Sequence, residues 1–347
     1  MANPTLNDVA AHAGVSLTTA SMVLGGKSAR FTPETQERVR AAAAALGYER
    51  NAAAAALRTG TGEHIAVLMP AQELADSPRN LLFDSPFFSD FFAGFEFAAA
   101  SKGIAFSLNR ISEPSKLGAL TRIYRPRAAL VLGSMPAAAM AVIGDWDIPT
   151  VVVDDSEACQ PYRNNPALID YSLDDAQMGF LGMSHLIERG HRKIALLFGR
   201  LASSSVHRKR HEGALSALRQ AGLDQSSIEL IESPDVSFGA VDAVSGQLVA
   251  AIAGGATAIL CMADILALGC YAALVKNGLV VPKQVSLCSM DGLRLLSYLP
   301  YRLTTVDQRI VERGIAVAGL LLDGTTPLTL SPVVREGDTV ATLAAEG

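Results

Sequence analysis

The sequence predicts an α/β protein with a small all-helical head, and three observations carry that prediction. From residue 65 onward, short apolar runs alternate with amphipathic helical segments. The alternation occurs twice, over roughly 62–168 and 169–306. The first 50 residues, by contrast, carry only helix signals. With 347 residues, half of them apolar, the chain has material for a small module and a large core-forming body.

The head begins with Thr5, a helix cap followed three residues on by Asp8, the spacing of a capping box. Leu6, Val9, Ala10 and Ala13 then form an apolar stripe at helical spacing. Gly14 supplies a turn, Val15 points inward, and Ser16 caps a second helix from Leu17 to about Leu24. Ala10, Gly14 and Ala20 are small where two steeply crossing helices come together. This is the pattern of a helix-turn-helix, whose second helix enters the major groove of DNA. Thr32-Pro33 opens a third helix with an inner face of Val39, Ala42, Ala43 and Leu46; Gly47 ends it and Tyr48 packs back. The segment 51–60, Asn-Ala-Ala-Ala-Ala-Ala-Leu-Arg-Thr-Gly, reads as a marginal helix or an alanine-rich linker with Leu57 as its one large apolar residue.

The charge is uneven. Residues 1–60 hold six Lys/Arg (Lys27, Arg30, Arg38, Arg40, Arg50, Arg58) against four acids (Asp8, Glu34, Glu37, Glu49). The head is therefore +2 and, of the whole-chain −5, the remainder carries −7. A basic head on an acidic body suits a DNA module joined to a sensor. The start of the chain has no apolar run of signal-peptide type, and no stretch reaches about 18 uncharged apolar residues. Cys159, Cys261, Cys270 and Cys288 form no CxxC pair and no Cys/His metal spacing. Three of the four sit in apolar runs, so the expectation is a reduced cytoplasmic protein without a structural metal.

In the body the strand candidates are 65–70, 104–108, 128–133, 149–154, 193–199, 256–262 and 285–291, with helices over 88–102, 175–189, 208–221 and 265–277. Two open α/β lobes of this kind bind ligands in the crevice at the carboxyl ends of their strands. Phe88, Phe91, Phe92 and Phe95 fall at helical spacing and read as core or subunit interface; Phe83 and Phe87 lie nearer the cleft mouth, where they can stack on a sugar or planar ligand. His185 and His191 are assigned no chemistry.

The stretch DVAAHAGVSLTTASMVL, followed by TPETQERVRAAAAALGYERN, resembles the N-terminal domain of the lactose-repressor (LacI/GalR) family of bacterial transcription regulators. The body resembles the periplasmic sugar-binding-protein fold that this family uses as its sensor, through DYSLDDAQMGFLGMSHLIERGHRKIALLFG, HRKRHEGALSALRQAGL, MADILALGCYAALVKNGLVVPKQVSLCSMD and LTTVDQ. The resemblance covers essentially the whole chain. It implies a helix-turn-helix domain over 1–50 and a hinge helix over 51–61. It implies a first sensor lobe of 62–168 plus about 307–326, and a second of 169–306 plus about 327–347. It implies DNA contacts from Thr5, Leu6, Ser16, Leu17, Thr18, Thr19, Ser21 and Met22, and from Asn51, Ala54 and Leu57 of the hinge, with Leu57 as a minor-groove wedge. It implies effector contacts from Arg210 and Asp291, and more weakly Asp154, beside Phe83, Phe87 and Ala263. For Arg210 an interlobe salt bridge, and for Asp291 a helix cap, are the structural alternatives.

Two departures stand out. Met22 occupies a position where the family commonly has arginine, and methionine cannot donate to a guanine. Ala263 stands where the family usually has an asparagine that touches sugar, so the effector is expected to be less hydroxylated than a hexose. Asp264 beside it is expected to cap the next helix.

The reading is a ligand-responsive repressor that binds a near-palindromic operator as a dimer, with a sugar or related metabolite as effector and no cofactor. No leucine-rich heptad tail follows Val333, which favours a dimer over a tetramer. The alternative is a cytoplasmic small-molecule-binding protein with weak or non-specific DNA binding. An enzyme is not indicated, since GxSxG, P-loop, strand-borne GxGxxG and His-Glu metal motifs are all missing from the sequence.

Overall fold

The computed structural model describes residues 4–25, 30–48, 64–71, 85–199, 201, 204–324 and 330–343. Two compact units separate: residues 1–63 with the short stretch 122–127, and the remainder.

The first unit is a three-helix domain of α1 (Leu6–Ala13), α2 (Leu17–Leu24) and α3 (Pro33–Leu46). Its ends are fixed by local chemistry. Thr5 and Asp8 form the reciprocal capping box, Ser16 accepts from the Thr19 amide, and Thr32 accepts from the Thr35 amide ahead of Pro33. Each such cap contributes about 1 kcal/mol. Gly14 adopts φ +62, and a β-carbon there would meet nothing within 4 Å. The turn therefore needs glycine for its left-handed backbone and not for close helix contact. Val9, Ala13, Ala20, Val23, Val39 and Ala42 form the small core, with Val15 and Tyr48 packed against it.

The second unit contains two sheets. The first is built from β1 (His64–Pro70), α4 (Pro86–Ser101), β2 (Ala105–Ile111), α5 (Ser115–Tyr124), β3 (Ala128–Leu132), α6 (Ala137–Gly144), β4 (Thr150–Val153), the single turn α7 (Ser156–Cys159) and β5 (Leu168–Tyr171). Its strands lie in the order β2-β1-β3-β4-β5, all parallel. The second sheet follows with α8 (Asp175–Glu188), β6 (Ile194–Phe198), α9 (Ser205–Gln220), β7 (Ile228–Glu232), α10 (Ser245–Ala253), β8 (Ala258–Cys261), α11 (Asp264–Lys276) and β9 (Ser286–Asp291). The chain ends with β10 (Thr304–Asp307), α12 (Ile310–Asp323) and β11 (Val333–Arg335). The order is β11-β10-β9-β8-β6-β7, with only β11 antiparallel. The central strands β1, β3, β4, β6, β8 and β9 are buried almost throughout, as expected for parallel strands covered on both faces.

Each sheet carries a helix pair packed backbone to backbone. In the second, α8 crosses α9 where a β-carbon on Gly179 would lie 1.7 Å from the Arg210 carbonyl oxygen and one on Gly213 would lie 1.8 Å from that of Ala176. In the first, α12 returns from the second sheet to cross α4 through Gly94 and Gly314 in the same way. Larger residues at these glycines would force the helices apart. The close crossing on α9 is also what fixes Arg210.

Candidate functional site

The carboxyl ends of β3 and β4 face those of β8, β9 and β10 across a cavity of about 210 Å³. Its apolar wall includes Phe87, Phe88, Val153, Val206, Ala263 and Leu293; its polar floor is Asp154, Asp175, His207, Arg210, Asp291 and Gln308. Five residues singled out from the sequence, Phe87, Asp154, Arg210, Ala263 and Asp291, thus border one space. Phe83 lies outside the described residues. Phe87 stacks on Phe91 at 6.3 Å and meets Phe88 edge-on at 5.5 Å, so buried Phe91 backs the half-buried ring of Phe87.

Arg210 is 4% exposed and fully committed on two of its nitrogens. Its Nε donates to Asp175 Oδ1 at 3.0 Å, and Nη1 donates to Asp291 Oδ1 at 2.9 Å and to the Met262 carbonyl at 2.6 Å. All of these partners belong to the second lobe, so the arginine does not form an interlobe salt bridge. Asp291 ends β9 with φ +124, a conformation that costs an aspartate on the order of 1 kcal/mol and is held by its surroundings. Asp291 Oδ1 also accepts from Gln308 Nε2 at 2.8 Å. Asp291 does not cap the turn 294–298 that follows it; its Oδ2 instead accepts from the Asp264 amide at the start of α11 at 3.4 Å.

Asp154 ends β4, also with positive φ. Its Oδ1 accepts from the Leu173 amide at 3.1 Å and from Arg313 Nη2. Arg313 in turn donates to Gln308 Oε1. One amide therefore joins a triad, Asp175–Arg210–Asp291 of the second lobe, to a pair, Arg313–Asp154 of the first. Arg313, Gln308 and Asp175 were not singled out from the sequence. Gln308 ends the quoted LTTVDQ, but nothing in its spacing marks it, because the fold alone brings it beside Asp291.

Asp264 corrects an expectation. It is the first residue of α11 but caps nothing; Ala263 precedes it without a side-chain cap. Its carboxyl, fully buried, accepts from the hydroxyls of Ser289 and Thr305 (2.7 Å for the latter) and from the Leu293 amide at 2.8 Å. It ties the ends of β9 and β10 together beneath Asp291. Burial, with the charge of Asp291 added, pushes its carboxyl up to about 7. Burial likewise raises Asp175 to about 6 against the opposing pull of Arg210. Asp291 is raised by burial, again against Arg210.

Among the described residues, polar ties across the rim between lobes include Arg208 to Glu157 at 2.9 Å, Lys209 Nζ to Ser156 Oγ at 2.5 Å, and the Arg294 amide to Asp90 at 2.7 Å. Among the described residues no cluster of His, Cys, Asp and Glu fits a metal ion, and no helix is long and apolar enough to cross a membrane. The four cysteines are buried thiols.

On the head, Thr5, Ser16, Leu17 and Thr18 are exposed, while Leu6, Thr19, Ser21 and Met22 are half-buried. Leu17 is 46% exposed. Ala20 and Val23 face the core, which leaves the opposite face of α2 outward. Asn51, Ala54 and Leu57 lie outside the described residues.

The family description "bacterial regulatory proteins, lacI family" matches residues 5–51, and "periplasmic binding protein-like domain" matches 183–340. The chain belongs to the LacI family and is a DNA-binding transcriptional regulator. Its relatives include the HTH-type transcriptional repressor PurR of Photorhabdus laumondii subsp. laumondii, 30% identical over 329 residues that cover 92% of this chain and 89% of that one. PurR of Erwinia tasmaniensis is 31% identical over 332 residues, covering 93% and 90%. Similar folds include the Lac repressor dimer bound to operator and the anti-inducer ONPF (TM-score 0.75, 23% identity, 98% and 100% covered). The transcriptional regulator CelR–cellobiose complex has a TM-score of 0.64 at 24% identity, covering 97% and 99%. A LacI family regulator from Enterococcus faecium with bound ribose has a TM-score of 0.66 at 22% identity, covering 80% and 100%.

Proposed function

We propose that the chain is a ligand-responsive repressor that acts in the cytoplasm as a homodimer on a near-palindromic duplex, with a sugar or sugar-like metabolite as effector. The observation that carries this reading is the cavity at the facing strand ends, floored by carboxylates that accept from hydroxyls and walled by Phe87 and Phe88. Fold neighbours that hold ribose and cellobiose support a sugar, and the Lac repressor dimer on operator supports a paired DNA reader. A second copy fits the exposed apolar surface around the stacked Tyr271–Tyr301 pair, where Tyr298 is 86% exposed and Val275 55%. The protein binds its ligand and does not turn it over.

In this reading residues 1–50 read the major groove through Thr5, Leu6, Ser16, Leu17, Thr18, Thr19, Ser21 and Met22. The hinge 51–61 enters the minor groove through Asn51, Ala54 and Leu57. Two sensor lobes, 62–168 with 307–326 and 169–306 with 327–347, change orientation when Phe83, Phe87, Asp154, Arg210, Ala263 and Asp291 receive the effector. Such coupling between sites amounts to about 1–3 kcal/mol.

The test is selection of bound duplexes from a random pool by the full-length protein at near-physiological salt. One enriched inverted repeat supports the proposal. Recovery of unenriched DNA, with steep salt dependence, supports the alternative of a small-molecule binder with non-specific DNA contact, which the donor-poor face of Leu17, Thr18 and Met22 favours. Met22→Arg should add a guanine preference of about 1–3 kcal/mol at one symmetric pair of positions, read by the same selection.

A further inference from the structure

His207 sits on the first turn of α9, one turn before Arg210, and lines the same cavity at 5% exposure. Its Nδ1 accepts the Gly199 amide at 3.1 Å, directly after β6. An imidazole nitrogen that accepts an N–H carries no proton, so in the neutral ring the proton rests on Nε2. Neutrality is enforced by the surroundings: burial, and then the nearby Arg210 charge, bring its pKa down to about 3. The backbone amide of His207 is itself tied to the capping Ser204 hydroxyl at 3.2 Å, which fixes where the ring starts from.

The cavity is rich in acceptors. Asp154 and Asp291 face it, with side chains 18% and 12% exposed. Arg210 commits Nε and Nη1 to Asp175, Asp291 and the Met262 carbonyl, and Arg313, paired with Asp154, is 1% exposed. A polar ligand brings oxygens as well as hydroxyls, and each of its oxygens needs a donor set beside these acceptors, because an unmatched one is costly in a closed site.

We propose that His207 is a specificity-determining residue of the cleft, a ring locked in the Nε2–H tautomer that donates to an oxygen of the ligand while Asp154 and Asp291 accept from its hydroxyls. The proposal rests on the reading that a small polar ligand fills the cleft. It selects for ligands with a ring, hydroxyl or carbonyl oxygen set beside two donors, and against those that present a third donor to the imidazole.

The test combines calorimetric titration of the full-length protein with D-ribose, D-glucose and cellobiose, the variants His207→Gln and His207→Phe, and nitrogen-15 NMR of the histidine rings. The sugar bound most tightly by the wild type should bind about tenfold more weakly to His207→Phe, the loss of one hydrogen bond. It should stay within about threefold for His207→Gln, which keeps an N–H donor. The ring should show the Nε2–H tautomer and remain neutral from pH 8 to pH 5. Unchanged affinity in a folded His207→Phe, or an Nδ1–H tautomer, overturns the proposal and leaves the cleft reading intact. A wild-type protein that binds none of the three sugars sinks the cleft reading and this proposal with it. If His207→Phe fails to fold, the Gln variant and the tautomer decide.

Discussion

Asp291 and Asp154 end corresponding strands of the two lobes, both with positive φ and each paired with an arginine from a helix, yet their surroundings differ. Asp291 shares Arg210 with Asp175, and a second buried carboxyl, Asp264, lies beneath it. Asp154 has Arg313 to itself plus one backbone amide, and its side chain is 18% exposed against 12% for Asp291. The second lobe therefore holds a dense, desolvated charge cluster and the first a simpler pair nearer water. Gln308 spans the difference, donating to Asp291 and accepting from Arg313. The contrast teaches that the cleft floor has a stiff side and an adjustable side, linked by one neutral group that can follow a change in either.

The largest expected effect breaks the stiff side. Arg210→Met leaves Asp175 and Asp291 buried without their cation, and should lower unfolding free energy by about 3–5 kcal/mol in urea titrations followed by circular dichroism. The corresponding Arg313→Met should lose less, about 2–3 kcal/mol, because water reaches Asp154. Equal losses would erase the distinction between the lobes.

Gln308→Leu removes two hydrogen bonds to charged groups and should cost about 1.5–3 kcal/mol. It should also make the Arg210 and Arg313 losses additive, where in the wild-type background a double-mutant cycle should show coupling.

The stiff side should also give stability a pH dependence. Asp264 and Asp175 have folded-state pKa values raised to about 7 and about 6, above the ordinary carboxylate range. The folded protein then binds more protons than the unfolded chain between pH 4 and those values, so these groups make stability fall as pH rises through that window and level off above it. Asp264→Asn should flatten the fall. Taking the difference between variant and wild type cancels the buried histidines, whose lowered pKa values act in the opposite direction. An identical pH profile in the two proteins would place the charge elsewhere.

The same contrast governs what the sequence revealed. In the head, caps and turn are local, so Thr5, Ser16, Thr32 and Gly14 stated their roles outright. In the body, strands buried on both faces read as continuous apolar runs. Four strands were missed: β5, Leu-Ile-Asp-Tyr, and β7, Ile-Glu-Leu-Ile-Glu, are half-exposed edges, β11 is three residues long, and β10, Thr-Thr-Val-Asp, is short and polar. In the cleft, Asp154 and Asp291 were legible because they end apolar strands, and Arg210 through the family resemblance. Asp175, Gln308 and Arg313 were not, since their partners lie 35, 17 and 159 positions away and only the crossovers bring them together. Asp264 was misread because an acid at a helix start ordinarily caps it, whereas here two hydroxyls and an amide draw the carboxyl inward.

The proposed function requires that a ligand in the cleft change DNA affinity, and Gln308, bonded to both Asp291 and Arg313, is the place to test that coupling. The direct test is the Kd for the enriched duplex, measured at fixed salt with and without D-ribose, D-glucose and cellobiose, for the wild type and Gln308→Leu. At least one sugar should shift the wild-type Kd by about 5- to 150-fold, and the shift should collapse in the variant although the sugar still binds. An equally large shift in Gln308→Leu, or no shift in the wild type with any of the three, would contradict it.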